Sequence, residues 1–155
     1  APDTFKVGVT KEWRLETRLR EQGADRGARV VTVPDGRIAR EREAEIAESI
    51  TDRVRVPTKR AGLHRSVDTE AWNDLLASYG VADEDRYGFD YGLALRDQPV
   101  TETIAAGTVR GVKGRLVVLD RAGSTYAVDL RDLVGHEITP GAGSRDLQAS
   151  LGAWE

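Results

Sequence analysis

The 155-residue chain contains neither cysteine nor methionine. Without cysteine it has no disulfide, no cysteine-ligated zinc site and no thiol nucleophile. No run approaches the ~20 apolar residues of a membrane-spanning helix, so no membrane partner is expected and the expected location is cytoplasmic. The composition, with 39% hydrophobic and 32% charged residues, excludes collagen-like and disordered classes.

Lysine is also scarce, since the chain has 4 lysines against 19 arginines. The basic residues are concentrated in the first part: residues 1–65 hold 15 Lys and Arg against 11 Asp and Glu, whereas residues 66–155 hold 8 against 15. A basic region beside an acidic remainder indicates a polyanionic ligand, although ordinary surface scatter explains the pattern equally well.

The first part of the chain alternates predicted strands and helices. Leu15 and Leu19 share one helix face and Gly23 follows as a C-cap, which predicts a helix over 14–22. The other elements predicted before residue 65 are strands at 5–10, 28–33 and 53–56 and a helix at 37–50.

Short β-rich runs joined by tight turns follow at 104–112, 115–120, 125–130 and 136–139, and they predict a small antiparallel β-barrel-like module. Between the two parts we expect a loop at 57–68, a helix at 69–79 capped by Asp68 or Thr69, and an irregular stretch at 80–99. The expected fold class is α/β in the broad sense, and α+β more specifically. The chain is expected to divide into a mixed sheet with helices at 1–65, a connector at 66–99, the β module at 100–139 and a tail at 140–155.

Arg18 and Glu43 fall on two successive predicted helices, and their chemistry suits phosphodiester ligands. An arginine guanidinium is a planar donor for phosphate oxygens, and a glutamate can hold Mg²⁺ alongside substrate phosphates. Three structural alternatives remain open. Arg18 pairs with a local acid such as Glu21, Glu43 pairs with a local arginine such as Arg40, or Arg18 and Glu43 pair with each other.

Three segments resemble the core of the GIY-YIG endonuclease superfamily: Lys6-Val7-Gly8-Val9-Thr10, then Thr17-Arg18-Leu19-Arg20-Glu21, then Glu43. The resemblance implies a small mixed sheet, with Arg18 as the catalytic arginine and Glu43 as the ligand of Mg²⁺. Lys6 stands at the position of the family's catalytic tyrosine, and a lysine does not replace a phenol in proton transfer at neutral pH. The implied nuclease site, made of Arg18, Glu43 and Lys6, is therefore degenerate.

Over residues 4–138 the chain resembles more closely the prokaryotic domain-of-unknown-function family numbered two-seven-nine-seven, particularly its versions from salt-loving archaea. The strings that carry this resemblance include Lys6-Val7-Gly8-Val9-Thr10, Gln22-Gly23-Ala24, Asp52-Arg53, Gly111-Val112-Lys113-Gly114 and Val128-Asp129-Leu130-Arg131. The family implies no settled activity. It implies a cysteine-rich, zinc-binding segment and a first strand upstream, so the chain is expected to be truncated. Within it no cofactor is expected other than Mg²⁺ at Glu43.

Further basic residues are candidates for nucleic-acid contacts: Arg14 and Arg20 on the first helix, and Lys59, Arg60, His64 and Arg65 in the predicted loop. At one predicted hairpin turn, Arg110, Lys113 and Arg115 are also placed to contact phosphates, but nearby acids favour a purely structural role.

The alternating aromatic residues Tyr87, Phe89 and Tyr91 form either a base-stacking platform or an apolar strip between the two modules, and the second interpretation is favoured. We therefore expect a nucleic-acid-associated protein, with DNA or RNA as its partner, that carries a degenerate nuclease-like site. Two alternatives stay open: an active metal-dependent phosphodiesterase in the full-length form, and a protein–protein adaptor that uses the acidic second half.

Overall fold

The computed structural model describes residues 4–136. Four helices come first, and most of the strands follow them. The helices are α1 (Leu15–Glu21, after a 3₁₀ turn at Glu12–Arg14), α2 (Gly36–Ala47), α3 (Val56–Ala61) and α4 (Thr69–Ser78). The strands are β1 (Arg26–Ala28), β2 (Arg86–Gly88), β3 (Val100–Glu102), β4 (Thr108–Lys113), β5 (Leu116–Arg121) and β6 (Ser124–Asp129). The α+β class is thus confirmed.

The three long predicted helices form because local signals start and stop them. Asp35 caps α2 by accepting hydrogen bonds from the backbone amides of Arg37 and Ile38, and Asp68 caps α4 in the same way through the amide of Ala71. After α1, Gly23 takes the left-handed conformation at φ +67°, which a glycine adopts without a Cβ penalty.

The second half is built on a meander of three antiparallel strands, β4, β5 and β6. The first turn contains Gly114 at φ +58°, and the second contains Ala122 and Gly123, both at positive φ. Such turns match the twist of the strands they join. The short strand β3 adds to β6 in parallel, giving the order β3-β6-β5-β4. Three of the four strands predicted for the β module, those at 104–112, 115–120 and 125–130, therefore form as β4, β5 and β6. Within residues 4–136 the sheet is open, without barrel closure.

The two central strands, β5 and β6, are buried on both faces, which explains the uninterrupted apolar run at the start of β5. On one face, Leu116 and Val118 pack with Leu63 and Leu93, which lie outside the sheet. On the other face, Val117, Leu119 and Val128 pack with Leu133. Because Leu63 directly follows α3, the first half of the chain contributes to the core of the second.

The mixed sheet expected within 1–65 is not present in the described residues. The strand predicted at 28–33 is represented only by β1, which shares Ala28 with it and pairs antiparallel with β2 from the predicted connector. No strand forms at 5–10 or 53–56. Residues 5–10 are irregular, with one backbone hydrogen bond from the Val7 amide to the Thr51 carbonyl, 3.0 Å long. A β-branched run forms a strand only where a neighbour satisfies its backbone, and exposed Val30 and Val31 have no such neighbour in the described chain.

The predictions at 53–56 and 57–68 are also wrong in part. The alternation Arg53-Val54-Arg55-Val56 leads directly into α3, where a loop was expected. Pro57 explains the difference, since proline is well accommodated in the first turn of a helix. Of the strand predicted at 136–139, only His136 is among the described residues. The tail predicted at 140–155 lies outside them entirely. Nowhere in residues 4–136 is a helix long and apolar enough to cross a membrane.

A contact between two glycines joins the two halves of the structure. The turn at Gly114 lies against the end of α1, so that a Cβ on Gly114 would stand 2.9 Å from the amide nitrogen of Gly23. A Cβ on Gly23 would equally stand 3.1 Å from the amide nitrogen of Gly114. Real Cβ atoms are essentially never found at 2.9 Å from a backbone atom, so the approach requires glycine at position 114. A contact of 3.1 Å is unusually tight, and together with the positive φ it favours glycine at position 23.

We expect Gly114→Ala to lower the free energy of unfolding by about 3 kcal/mol, because it adds a backbone clash to the cost of a left-handed alanine. Gly123→Ala is the matched control, since Gly123 also has positive φ but no atom within 4 Å of its Cβ position. This control should lose only about 1 kcal/mol in urea denaturation. Equal losses in the two variants would show that the glycine contact does not constrain the fold.

Candidate functional site

A small pocket lies where the β4–β5 turn meets the end of α1, and two of the chain's four lysines line it. Its volume is about 220 Å³. Lys59, Lys113 and Arg115 form its cationic side. Glu21 and Gln22, at the end of α1, form a second side of the pocket. The apolar lining consists of Val54, Val56 and Leu116. We call this cavity the lysine pocket.

Lys59, on α3, is the half-buried cation of the lysine pocket. Its Nζ donates a hydrogen bond of 2.8 Å to the Gln22 carbonyl. No carboxylate in residues 4–136 comes within ion-pairing distance of it. Burial is the main cause that lowers the pKa of Lys59. The nearby positive charges of Lys6, Arg115 and Lys113 lower the same pKa further.

The other two cations of the pocket are anchored by acids. The Lys113 ammonium pairs with Asp25 and lies 5.5 Å from the ring centroid of Tyr91. The Arg115 guanidinium pairs with Asp129, which is buried. These ion pairs hold both side chains in place, so Lys59 is the cation whose charge is least compensated.

Tyr91 also joins the halves, because its hydroxyl donates a 2.9 Å hydrogen bond to the Ala24 carbonyl. Burial, and then the negative charge of Asp25, raise the pKa of this phenol. Tyr91 therefore lies between the modules, whereas Phe89 contacts α1, since its ring centroid is 4.6 Å from the guanidinium of Arg20. The position of Tyr91 fits the interpretation of the aromatics as a strip between the modules.

The predicted catalytic arginine, Arg18, pairs with Glu21, one of the residues that line the lysine pocket. Arg18 donates a 3.1 Å hydrogen bond to Glu21, and Arg14 reaches the same carboxylate at 3.2 Å. Arg20 pairs instead with Glu16. Of the alternatives open for Arg18, the structure shows the pairing with Glu21, and through that residue Arg14 and Arg18 reach the pocket.

Glu43 lies on α2 beside a separate, open groove of about 490 Å³, which Arg40, Glu48 and Asp52 also line. Its Oε1 is 3.9 Å from the position that a Cβ on Gly8 would occupy. No hydrogen bond or ion pair joins Arg18 to Glu43 in the part of the chain that the structure describes. Glu43 thus faces the Lys6–Gly8 segment.

The remaining predicted basic residues belong to α3 and the segment around it. Residues 53–65 contain five Lys and Arg and no acid. Arg55, Arg60 and Arg65 form no ion pair within residues 4–136, whereas Arg53 lies 3.7 Å from Asp52. The buried Nδ1 of His64 likewise has no hydrogen-bond partner among the described residues. Every charged side chain within this segment is therefore basic.

Metal ligands are not gathered in the described range. Residues 4–136 contain no group of three or more His, Asp or Glu side chains placed to hold a metal ion. Mg²⁺ often uses only one or two carboxylates and completes its shell with water and substrate phosphates. The assignment of Mg²⁺ to Glu43 therefore stays a prediction.

Sequence reasoning missed the convergence of Lys59 with Lys113 and Arg115. It considered Lys59 as part of a loop and Lys113 as part of a hairpin turn, 54 positions apart, with no local pattern to connect them. The useful signal was compositional, because a chain with 19 arginines keeps only 4 lysines. Two of these line one pocket, and Lys6 is near enough to affect it.

The fold and the site define an α+β protein with a cationic pocket between a helix end and a hairpin turn. The family model described as protein of unknown function (DUF2797) matches residues 1–138, and the chain belongs to that family. Neither curated proteins nor solved structures gave a match. The resemblance to GIY-YIG endonucleases is not shown by these comparisons and stays a prediction.

The lowered pKa of Lys59 predicts a pH-dependent stability difference between the parent and Lys59→Met. In the unfolded chain Lys59 titrates near its ordinary pKa of 10.5, above its pKa in the folded protein. Between the two values the unfolded state binds more protons, so stability rises with pH. The Tm of the parent minus that of Lys59→Met should therefore increase between about pH 7 and about pH 10. A constant or falling difference would contradict the burial of this charge.

Proposed function

We propose that the protein binds the phosphodiester backbone of a nucleic acid, with one phosphate in the lysine pocket. The observation that carries the proposal is Lys59, a half-buried ammonium without a carboxylate partner in the described residues. A buried charge is costly unless a counter-charge accompanies it. A phosphate in the pocket would supply that counter-charge and raise the pKa of Lys59 again.

The pocket has donors of two kinds that suit a phosphate. Lys59 and Lys113 offer compact ammonium groups, and Arg115 offers a planar guanidinium. Lys113 and Arg115 are held by Asp25 and Asp129, so less side-chain freedom is lost when an anion binds.

The basic segment around α3 favours a polyanion over a single free phosphate. Arg55 and Arg65 are exposed and have no ion-pair partner among residues 4–136. They extend the positive charge beyond the volume of one pocket, as expected for contacts to successive phosphates. Backbone contacts of this kind position a nucleic acid without reading its sequence.

The proposal predicts a specific loss of affinity in Lys59→Met. We expect binding of a fluorescently labelled oligonucleotide to weaken by about tenfold, and the slope of log K against log salt to fall by about one. Arg110→Met is the control, since it removes one positive charge from the exposed Arg110–Asp120 pair on β4. Fluorescence anisotropy over a series of salt concentrations measures both quantities. Equal behaviour of the two variants would count against the lysine pocket as the phosphate site.

Metal-dependent cleavage of the bound backbone is a second candidate function. The position of Glu43 favours it, because this carboxylate faces the segment that contains Lys6, and Lys6 is near Lys59. Glu43 would hold Mg²⁺, which supplies charge stabilisation at a phosphate when bound. Arg18, which pairs with Glu21 of the pocket lining, would bind the phosphate.

This candidate predicts Mg²⁺-dependent cleavage of a labelled oligonucleotide by the chain. The double variant Arg18→Ala, Glu43→Ala should lose at least about 100-fold in rate, since both proposed contacts to the phosphate and its metal are removed. Gel analysis of cleavage products over time measures the rate, with Arg110→Met as the matched control. Identical product formation by the parent and the double variant would exclude these two residues from catalysis.

A further inference from the structure

Trp13 is an exposed aromatic side chain with no role in the core. It lies in the 3₁₀ turn before α1, and 77% of its surface is accessible. Every other aromatic residue in the described range is half-buried or buried. Because a tryptophan gains much free energy from burial, a fully exposed indole next to a cationic pocket marks a contact surface.

Trp13 is connected to the lysine pocket through one arginine. The guanidinium carbon of Arg14 lies 5.8 Å from the centroid of the Trp13 ring. The same guanidinium lies 3.2 Å from the carboxylate of Glu21, which lines the pocket. Indole and pocket are therefore separated by about the length of an arginine side chain.

We propose that Trp13 stacks on a nucleobase whose strand places a phosphate in the lysine pocket, so that the preferred ligand is single-stranded nucleic acid. This inference rests on the proposed function and adds the class of ligand. The bases of a duplex are already stacked and paired, whereas those of a single strand present a free face to an aromatic side chain. Arg14 covers one face of the indole, and the other face receives the base.

The sharpest test compares ligands that differ only in their bases. One is a 12-nucleotide oligothymidylate, and the other is an oligonucleotide of the same length with abasic sites throughout. We expect the parent protein to bind the abasic strand about tenfold more weakly, and Trp13→Leu to bind both strands equally. Trp13→Phe should retain most of the discrimination because it keeps an aromatic ring. Anisotropy measures affinity, and a melting curve of each variant checks folding.

A 12-base-pair duplex completes the experiment. We expect Trp13→Leu to leave duplex affinity unchanged, while Lys59→Met weakens duplex and single strand alike. An equal loss of duplex and single-strand affinity in Trp13→Leu would overturn the stacking role. The stacking role would also be overturned if Trp13→Leu discriminated between oligothymidylate and the abasic strand as strongly as the parent does.

Two other results distinguish a failure of the stacking inference from a failure of the proposed function. If Lys59→Met weakens binding but Trp13→Leu does not, the phosphate site stands and the stacking inference fails. If the parent binds no oligonucleotide at all, the proposed function fails, and the stacking inference fails with it. Should Trp13→Leu only abolish self-association in size-exclusion chromatography, the indole is a protein contact and the inference is overturned.

Discussion

The close contact between Gly23 and Gly114 is the constraint on which the rest of the structure depends. It lets the hairpin turn of the sheet touch the end of α1 backbone to backbone, without an intervening side chain. With the two halves this close, Lys113 of the second half reaches Asp25 of the first. Lys59, which donates to the Gln22 carbonyl within the first half, then lines the same pocket as Lys113. The lysine pocket is thus a product of the junction, and neither half contains it alone.

The charges at this junction are unequally compensated. The carboxylates of Glu21, Asp25 and Asp129 each take at least one cation. Lys59 receives only a backbone carbonyl at the end of α1. The negative end of a helix dipole favours a cation, but it is weaker than a full counter-charge. A fold optimised for stability alone would give Lys59 a carboxylate partner or have an apolar residue in its place. Positions that are less stable than this optimum are often functional.

The parts of the fold that sequence could predict are those set by neighbours in the chain. The cap at Asp68 and the C-cap at Gly23 defined helices, and tight turns defined the meander of β4 to β6. The strand predicted at 28–33 largely failed because a strand needs a partner, and the partner of β1 comes from residues 86–88. The same limit applies to the site: Arg18 and Glu43 were proposed from a family resemblance, whereas the grouping of Lys59 with Lys113 depends on contacts between distant segments.

The meander from β4 to β6 has a consequence for the order of folding. Its strands are joined by two tight turns, so their contacts close short loops and need no other part of the chain. The contacts of Leu63 and Leu93 with Leu116 instead join segments that are distant in the sequence. We therefore expect the meander to form early in folding and the junction late. The pocket would then exist only in fully folded molecules, because its lining comes from both halves of the chain.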